Sequence, residues 1–155
     1  MDEIDRNIVV ALQLDGSSGL AELAKVAGLS VSATAERVKR LEERGVIRGW
    51  RADLDPAAVG CPVLVHVLAQ VAAGRDDAAF RRAMRKREEV LECHAVTGGW
   101  TYLIKLRLPE IAALDAFLNE ELRTEPGVQR VETLLAIATV KETSILPVAP
   151  AETEE

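Results

Sequence analysis

Apolar residues recur every three or four positions through the first third of the chain and closer to every second position afterwards, so the pattern predicts helices first and mostly strands later. Residues 2–14 place Ile4, Ile8, Ala11 and Leu12 on one helical face, with Asp2, Glu3 and Asp5 in the first turn, where carboxylates favour the helix dipole. The stretch Asp15-Gly16-Ser17-Ser18-Gly19 breaks that helix. Leu20, Leu23, Ala24 and Ala27 then mark a short second helix closed by Gly28. Ser30 is placed to cap a third, residues 31–44, whose inward stripe is Val31, Thr34, Val38 and Leu41 and which Gly45 ends.

Residues 46–54 are strand-like and stop at Asp55-Pro56, which marks 46–60 as the link to a second region. That region predicts strands at 63–71, 90–97, 101–108 and 128–140. Helices are predicted at 76–87, burying Phe80, Ala83 and Met84, and at 111–122, striped by Ile111, Leu114, Phe117, Leu118 and Leu122. The order is the split ferredoxin-like βαββαβ unit, in which both helices cover one sheet face. The expected fold is α+β: a three-helix domain over 1–45, a linker strand and hinge over 46–60, a ferredoxin-like domain over 61–142 and a tail over 143–155. Val63, Val65, Val67, Leu134, Leu135 and Ile137 offer more apolar strand surface than one helical layer hides, which implies a partner sheet.

The tight Gly28-Leu29-Ser30 turn between the second and third helices fits a helix-turn-helix, and on periodicity alone it fits another small three-helix domain as well. Charge changes the picture. The chain carries −6 overall, yet residues 36–51 hold six basic residues (Arg37, Lys39, Arg40, Arg44, Arg48, Arg51) against three acidic ones, while the end at 151–155 is acidic and reads as solvated. Positions 33, 36, 37 and 40 share a face roughly opposite the apolar stripe, so Arg37 and Arg40 are expected to project together toward a groove or a phosphate.

The candidate chemistry is sparse. Cys61 and Cys93 lack metal or redox spacing and read as small apolar residues; His66 and His94 lie inside strands without an HExxH-like pattern. No metal or cofactor is implied, and no nucleophile triad, phosphate loop or paired carboxylate motif supports an enzyme. Five aromatic residues, none in the third helix, give no stacking platform for single-stranded nucleic acid. No apolar run reaches the roughly 18 to 20 residues of a membrane span, and Met1-Asp2-Glu3-Ile4-Asp5 is unlike a signal peptide, so a cytoplasmic location is expected.

Several segments together carry a family resemblance: Ile4-Asp5-Arg6-Asn7-Ile8, Leu14-Asp15-Gly16, Leu23 through Ser30, Arg37 through Ile47, Leu54-Asp55-Pro56 with Gly60, Thr97-Gly98-Gly99 with Tyr102, and Pro126-Gly127-Val128. Along nearly its whole length the chain resembles the Lrp/AsnC (feast/famine) transcriptional regulators. The resemblance implies a sequence-specific regulator of double-stranded DNA, working as a homodimer or a higher even-numbered oligomer and responding to a small-molecule effector, an amino acid or another metabolite. It implies DNA contacts from Ser30, Ser32, Ala33, Glu36, Arg37, Lys39 and Arg40, and an effector loop of Gly98, Gly99, Trp100, Thr101 and Tyr102. Trp100 and Tyr102 equally suit a subunit interface. Two positions depart from the family pattern. Glu36 puts a carboxylate on the DNA-facing side, and Thr101 stands where relatives often have Asp, which removes an anionic partner for a ligand ammonium. A DNA-compacting protein of low sequence preference is the alternative reading.

Overall fold

Asp2 starts the first helix by accepting the Asp5 N–H at 2.8 Å, one of the four N-terminal donors that no helix satisfies by itself. In the computed structural model, which describes residues 1–149, this helix, α1, is Glu3–Leu14, followed by α2 (Leu20–Ala27) and α3 (Val31–Glu43). Ile8, Leu12, Leu23, Ala27 and Leu41 close the small core, joined by Val9, which the periodicity did not assign inward. Thr34 is fully buried and donates its hydroxyl to the Ser30 carbonyl at 3.0 Å, which is how a polar residue is accommodated in the stripe. Val31, expected inward, is instead half exposed in the first turn of α3.

The remainder resolves into β1 (Val63–Val71), α4 (Arg75–Met84), β2 (Val90–Ala95), β3 (Tyr102–Leu108), α5 (Ile111–Ala116) with a π-wound continuation over Phe117–Leu122, and β4 (Val128–Leu135). The sheet is antiparallel with strand order β2-β3-β1-β4, the ferredoxin-like arrangement expected from the element order. Alternation sends Val65, Val67, Ala69, Tyr102, Ile104 and Leu106 to the helix-covered side, where Phe80, Met84, Phe117 and Leu122 complete the core. At Gly127 the chain turns into β4 with φ +83°, and a Cβ there would lie 2.5 Å from Asp76 Cβ at the start of α4, so glycine is required twice over.

Three expectations are corrected. Residues 46–60 form no strand; Trp50 donates to Glu42 at 2.9 Å, and Asp55 accepts the Ala57 N–H at 2.8 Å in a turn rather than a ladder. The last strand ends at Leu135, leaving Ile137 almost fully exposed. Val65 and Val67 lie under the helices, so the apolar side chains on the open sheet face are, by register, Leu64, Leu68, Leu103 and Leu134, with Leu134 half exposed and Leu64 already buried.

The chain divides into two compact units, one holding Met1–Asp53 together with the stretch from Lys141, the other Leu54–Val140. Part of the expected tail therefore belongs to the helical unit. Leu146 donates its N–H to Gln13 Oε1 at 2.7 Å and accepts from Gln13 Nε2 at 3.1 Å, Arg6 donates to the Ala149 carbonyl at 2.9 Å, and Val148 packs on the helical core. The acidic end at 151–155 lies outside the described residues.

Candidate functional site

The third helix begins with a side-chain cap. Ser30 Oγ accepts the Ala33 N–H at 3.2 Å and lies 3.2 Å from Ser32 Oγ, leaving a polar, exposed first turn. From there Ala33, Glu36, Lys39 and Arg40 are exposed. Arg40 Nε donates to Glu36 Oε1 at 3.1 Å and Lys39 lies 3.7 Å from Glu43, so the two exposed cations are held by acids one turn away. Glu36 is thereby the resting partner of Arg40.

Arg37 is placed differently from the sequence reading. Its guanidinium turns back to α1, donating at 2.7 Å to both Asp2 and Asp5, and Asp5 is itself nearly buried. These bonds raise the guanidinium pKa, while Asp2 is held below the usual carboxylate range, first by the Asp5 N–H and then by Arg37. The structure therefore separates Arg37 from Arg40. Periodicity gives the angle of Arg37 but not the acids of α1 that capture it.

In the second unit, Gly98 turns the β2–β3 connection with φ +104°. Gly98 and Gly99 are exposed and Trp100 is half-buried, with the Arg130 guanidinium 4.3 Å from its ring centre. Arg130 also lies 3.7 Å from Glu132, its neighbour two residues along β4 on the same sheet face. Thr101 and Tyr102 are drawn inward. The Thr101 hydroxyl accepts the Val71 N–H at 3.2 Å, and Tyr102 is 2% exposed and donates to Asp77 Oδ1 at 2.5 Å. Burial, followed by that bond to a carboxylate, pushes the Tyr102 phenol up to about 12. Asp77 is held low, first by the Tyr102 hydroxyl and next by Arg81 at 2.8 Å.

On the helix-covered side, a shallow cavity of about 340 Å³ opens between α4 and β2, lined by Arg81, Met84, Arg85, Cys93 and Tyr102 among others. Burial raises the Cys93 thiol pKa, and the side chain is half-buried rather than fully enclosed. Of the five loop residues, only Tyr102 lines this cavity. The sequence reading passed over Arg130 as a neighbour of Trp100; only strand register brings it there, since thirty residues separate the two in the chain.

Comparison with known proteins agrees with this division of labour. Residues 1–42 match the AsnC-type helix-turn-helix domain and residues 63–146 the Lrp/AsnC ligand binding domain. The leucine-responsive regulatory protein of Escherichia coli is 40% identical over 148 residues, 94% of this chain and 90% of that protein. Among solved structures, the transcriptional regulator–L-Met complex of Neisseria meningitidis superposes with TM-score 0.90 at 30% identity, covering 95% of this chain and 96% of that one. The leucine response regulatory protein LrpA of Mycobacterium tuberculosis superposes with TM-score 0.80 at 36% identity, covering 92% and 96%. With two family models spanning most of its length and a relative this similar along nearly the whole of it, the chain belongs to the Lrp/AsnC family of effector-modulated, DNA-binding transcriptional regulators, and it is not an enzyme.

Proposed function

We propose that α3 enters the major groove of double-stranded DNA with Ser30, Ser32, Ala33, Glu36, Lys39 and Arg40 toward bases and phosphates, while Arg37 fixes the helix from behind. The observation that carries this reading is the split between Arg37, clamped on Asp2 and Asp5, and the exposed Glu36–Arg40 pair. Arg40 exchanges Glu36 for a phosphate on binding, and Glu36 is then free to accept from a cytosine amino group. The test is quantitative binding of full-length protein to selected duplexes across a salt series. Arg40→Ala should weaken all sites and lower the salt slope by about one. Arg37→Ala should lower thermal stability and leave the base preference unchanged. Relaxed preference at one base pair with unchanged melting would make Arg37 a base-reading residue instead. The protein acts in the cytoplasm on local regulatory sites, and short, bounded footprints separate this from DNA compaction.

The effector site centres on the Gly98–Tyr102 loop, with Gly98, Gly99 and Trp100 toward the ligand and Thr101 and Tyr102 anchoring the loop through Val71 and Asp77. The relatives crystallised with L-Met favour an amino acid. Thr101 brings no carboxylate and its hydroxyl is committed to Val71, so recognition of an ammonium depends on Glu132, with Arg130 for the carboxylate. Calorimetry with L-Met and other α-amino acids should show binding that Glu132→Gln weakens by roughly tenfold or more, the equivalent of about 1.4 kcal/mol. Amino-acid binding unaffected by that change would remove Glu132 from the site. Two copies pair through the open sheet face, where Leu64, Leu68, Leu103 and Leu134 are flanked by the Lys105–Glu92 and Arg130–Glu132 pairs, an apolar centre with a polar rim.

A further inference from the structure

The most basic stretch of this acidic chain is not the recognition helix. Residues 75–87 carry six cations, Arg75, Arg81, Arg82, Arg85, Lys86 and Arg87, against Asp76 and Asp77. Two of the six are accounted for inside the fold. Arg81 is held by Asp77, and Arg87 by Glu121, by Glu125 at 3.1 Å and by Glu89. Arg75, Arg82, Arg85 and Lys86 are exposed and have no ion-pair partner among the described residues. Arg75 and Arg82 fall on one face of α4, about 10 Å of axis apart, and Arg85 and Lys86 follow in the turn after Met84.

Helix stability does not explain this arrangement. Cations in the last turn do suit the helix dipole, but Arg75 stands at the opposite end, where a cation is disfavoured. Arg81 and the C-cap residue Arg85 are four apart, and like charges at that spacing repel. Neither Asp76, next to Arg75, nor Glu88, two residues after Lys86, makes an ion pair with any of the four exposed cations among the described residues. A solvated stripe of four uncompensated cations, three of them guanidiniums suited to phosphate oxygens, matches a duplex that presents one negative charge about every 1.7 Å of axis.

We propose that Arg75 and Arg82 on α4, continued by Arg85 and Lys86 in the turn that closes the helix, form a second, sequence-independent DNA contact, which grips the phosphate backbone of duplex flanking the site read by α3. The proposal rests on the reading that the chain binds duplex DNA through α3. The ligand-binding unit thereby adds affinity for long DNA that the helical unit alone does not supply.

The experiment uses full-length protein and one selected recognition site, embedded either in a 20-base-pair duplex (about the α3 footprint) or at the centre of an 80-base-pair duplex, sizes chosen so that only the longer offers flanking backbone. Binding is followed by fluorescence anisotropy between about 50 and 200 mM salt. The variant R82Q/R85Q/K86Q should keep its affinity for the short duplex within about twofold. On the long duplex it should weaken at least about tenfold, with the salt slope reduced by roughly 2 to 3, at about 0.9 for each phosphate that is no longer neutralised. Equal loss on both lengths with normal melting, or no loss on either, overturns the proposal. So does unchanged long-duplex binding together with lost binding to phosphatidylglycerol vesicles, which would make the face a lipid contact. If the triple variant melts early, R82Q alone carries the test with a slope change of about one. Arg40→Ala serves as the control. If it is silent while the triple variant still loses long-duplex affinity, the α3 reading fails and the α4 contact stands.

Discussion

Removing residues 145 onward should destabilise the helical unit selectively. The truncation deletes the paired Gln13–Leu146 bonds, the Arg6–Ala149 bond and the packing of Val148 against the α1 side of the core. The bonds are exposed, so each is worth only about 0.5 kcal/mol, the lower end of the usual range. Partial burial of Val148 adds about 1 kcal/mol. A loss of about 2 to 3 kcal/mol on a unit of this size lowers its melting temperature by roughly 8 to 24 °C. Trp50 lies in the helical unit and Trp100 in the other, so fluorescence melting in a Trp100→Phe background follows the first unit alone. Gln13→Ala should give about a third to a half of the effect. A truncated protein whose Trp50 transition is unmoved, with the Gln13 variant equally silent, would show that the returning segment contributes nothing to folding.

Gly127→Ala should cost about 1 to 3 kcal/mol by urea titration, because an added Cβ meets Asp76 and the backbone stays at positive φ; unchanged stability would mean that the turn relaxes freely. Asp2 titrates below its ordinary 3.8 in the folded chain, so its contribution is fully present above that pH and disappears as pH falls through the lower folded value. Asp2→Asn should therefore flatten the acid limb of stability below about pH 4, measured by urea midpoints from pH 5 down to pH 2; an unaltered limb would assign it to other carboxylates. Leu134→Glu should shift the full-length protein toward a smaller species in light scattering at micromolar concentration, since it puts a charge amid Leu64, Leu68 and Leu103. An unchanged mass would move subunit contact away from the open sheet face.

Local chemistry made most of the elements legible. The three helices announce themselves through Asp2, Gly28 and Ser30, and β1 through a nearly continuous apolar, valine-rich run over Val63–Val71, because capping and strand propensity act within a few positions. Legibility stopped where a residue's fate depends on something distant in sequence. The bonds of Arg37 to Asp2 and Asp5, more than thirty residues earlier, have no local signal. Nor do those of the Thr101 and Tyr102 hydroxyls to Val71 and Asp77. Residues 46–54 have strand-like composition but find no ladder among the described residues, since composition cannot supply a partner strand. The Arg130–Trp100 contact depends on register across the sheet, which no local pattern encodes.

The return of residues 141–149 to the helical unit means that the backbone passes between the two units twice, once at residues 53–54 and again at 140–141. The helical unit is therefore assembled from two separate pieces of the sequence, and the second comes after the whole of the sheet-bearing unit. Grafting the first fifty-three residues alone onto another protein would discard the segment that bonds to α1 through Gln13 and Arg6.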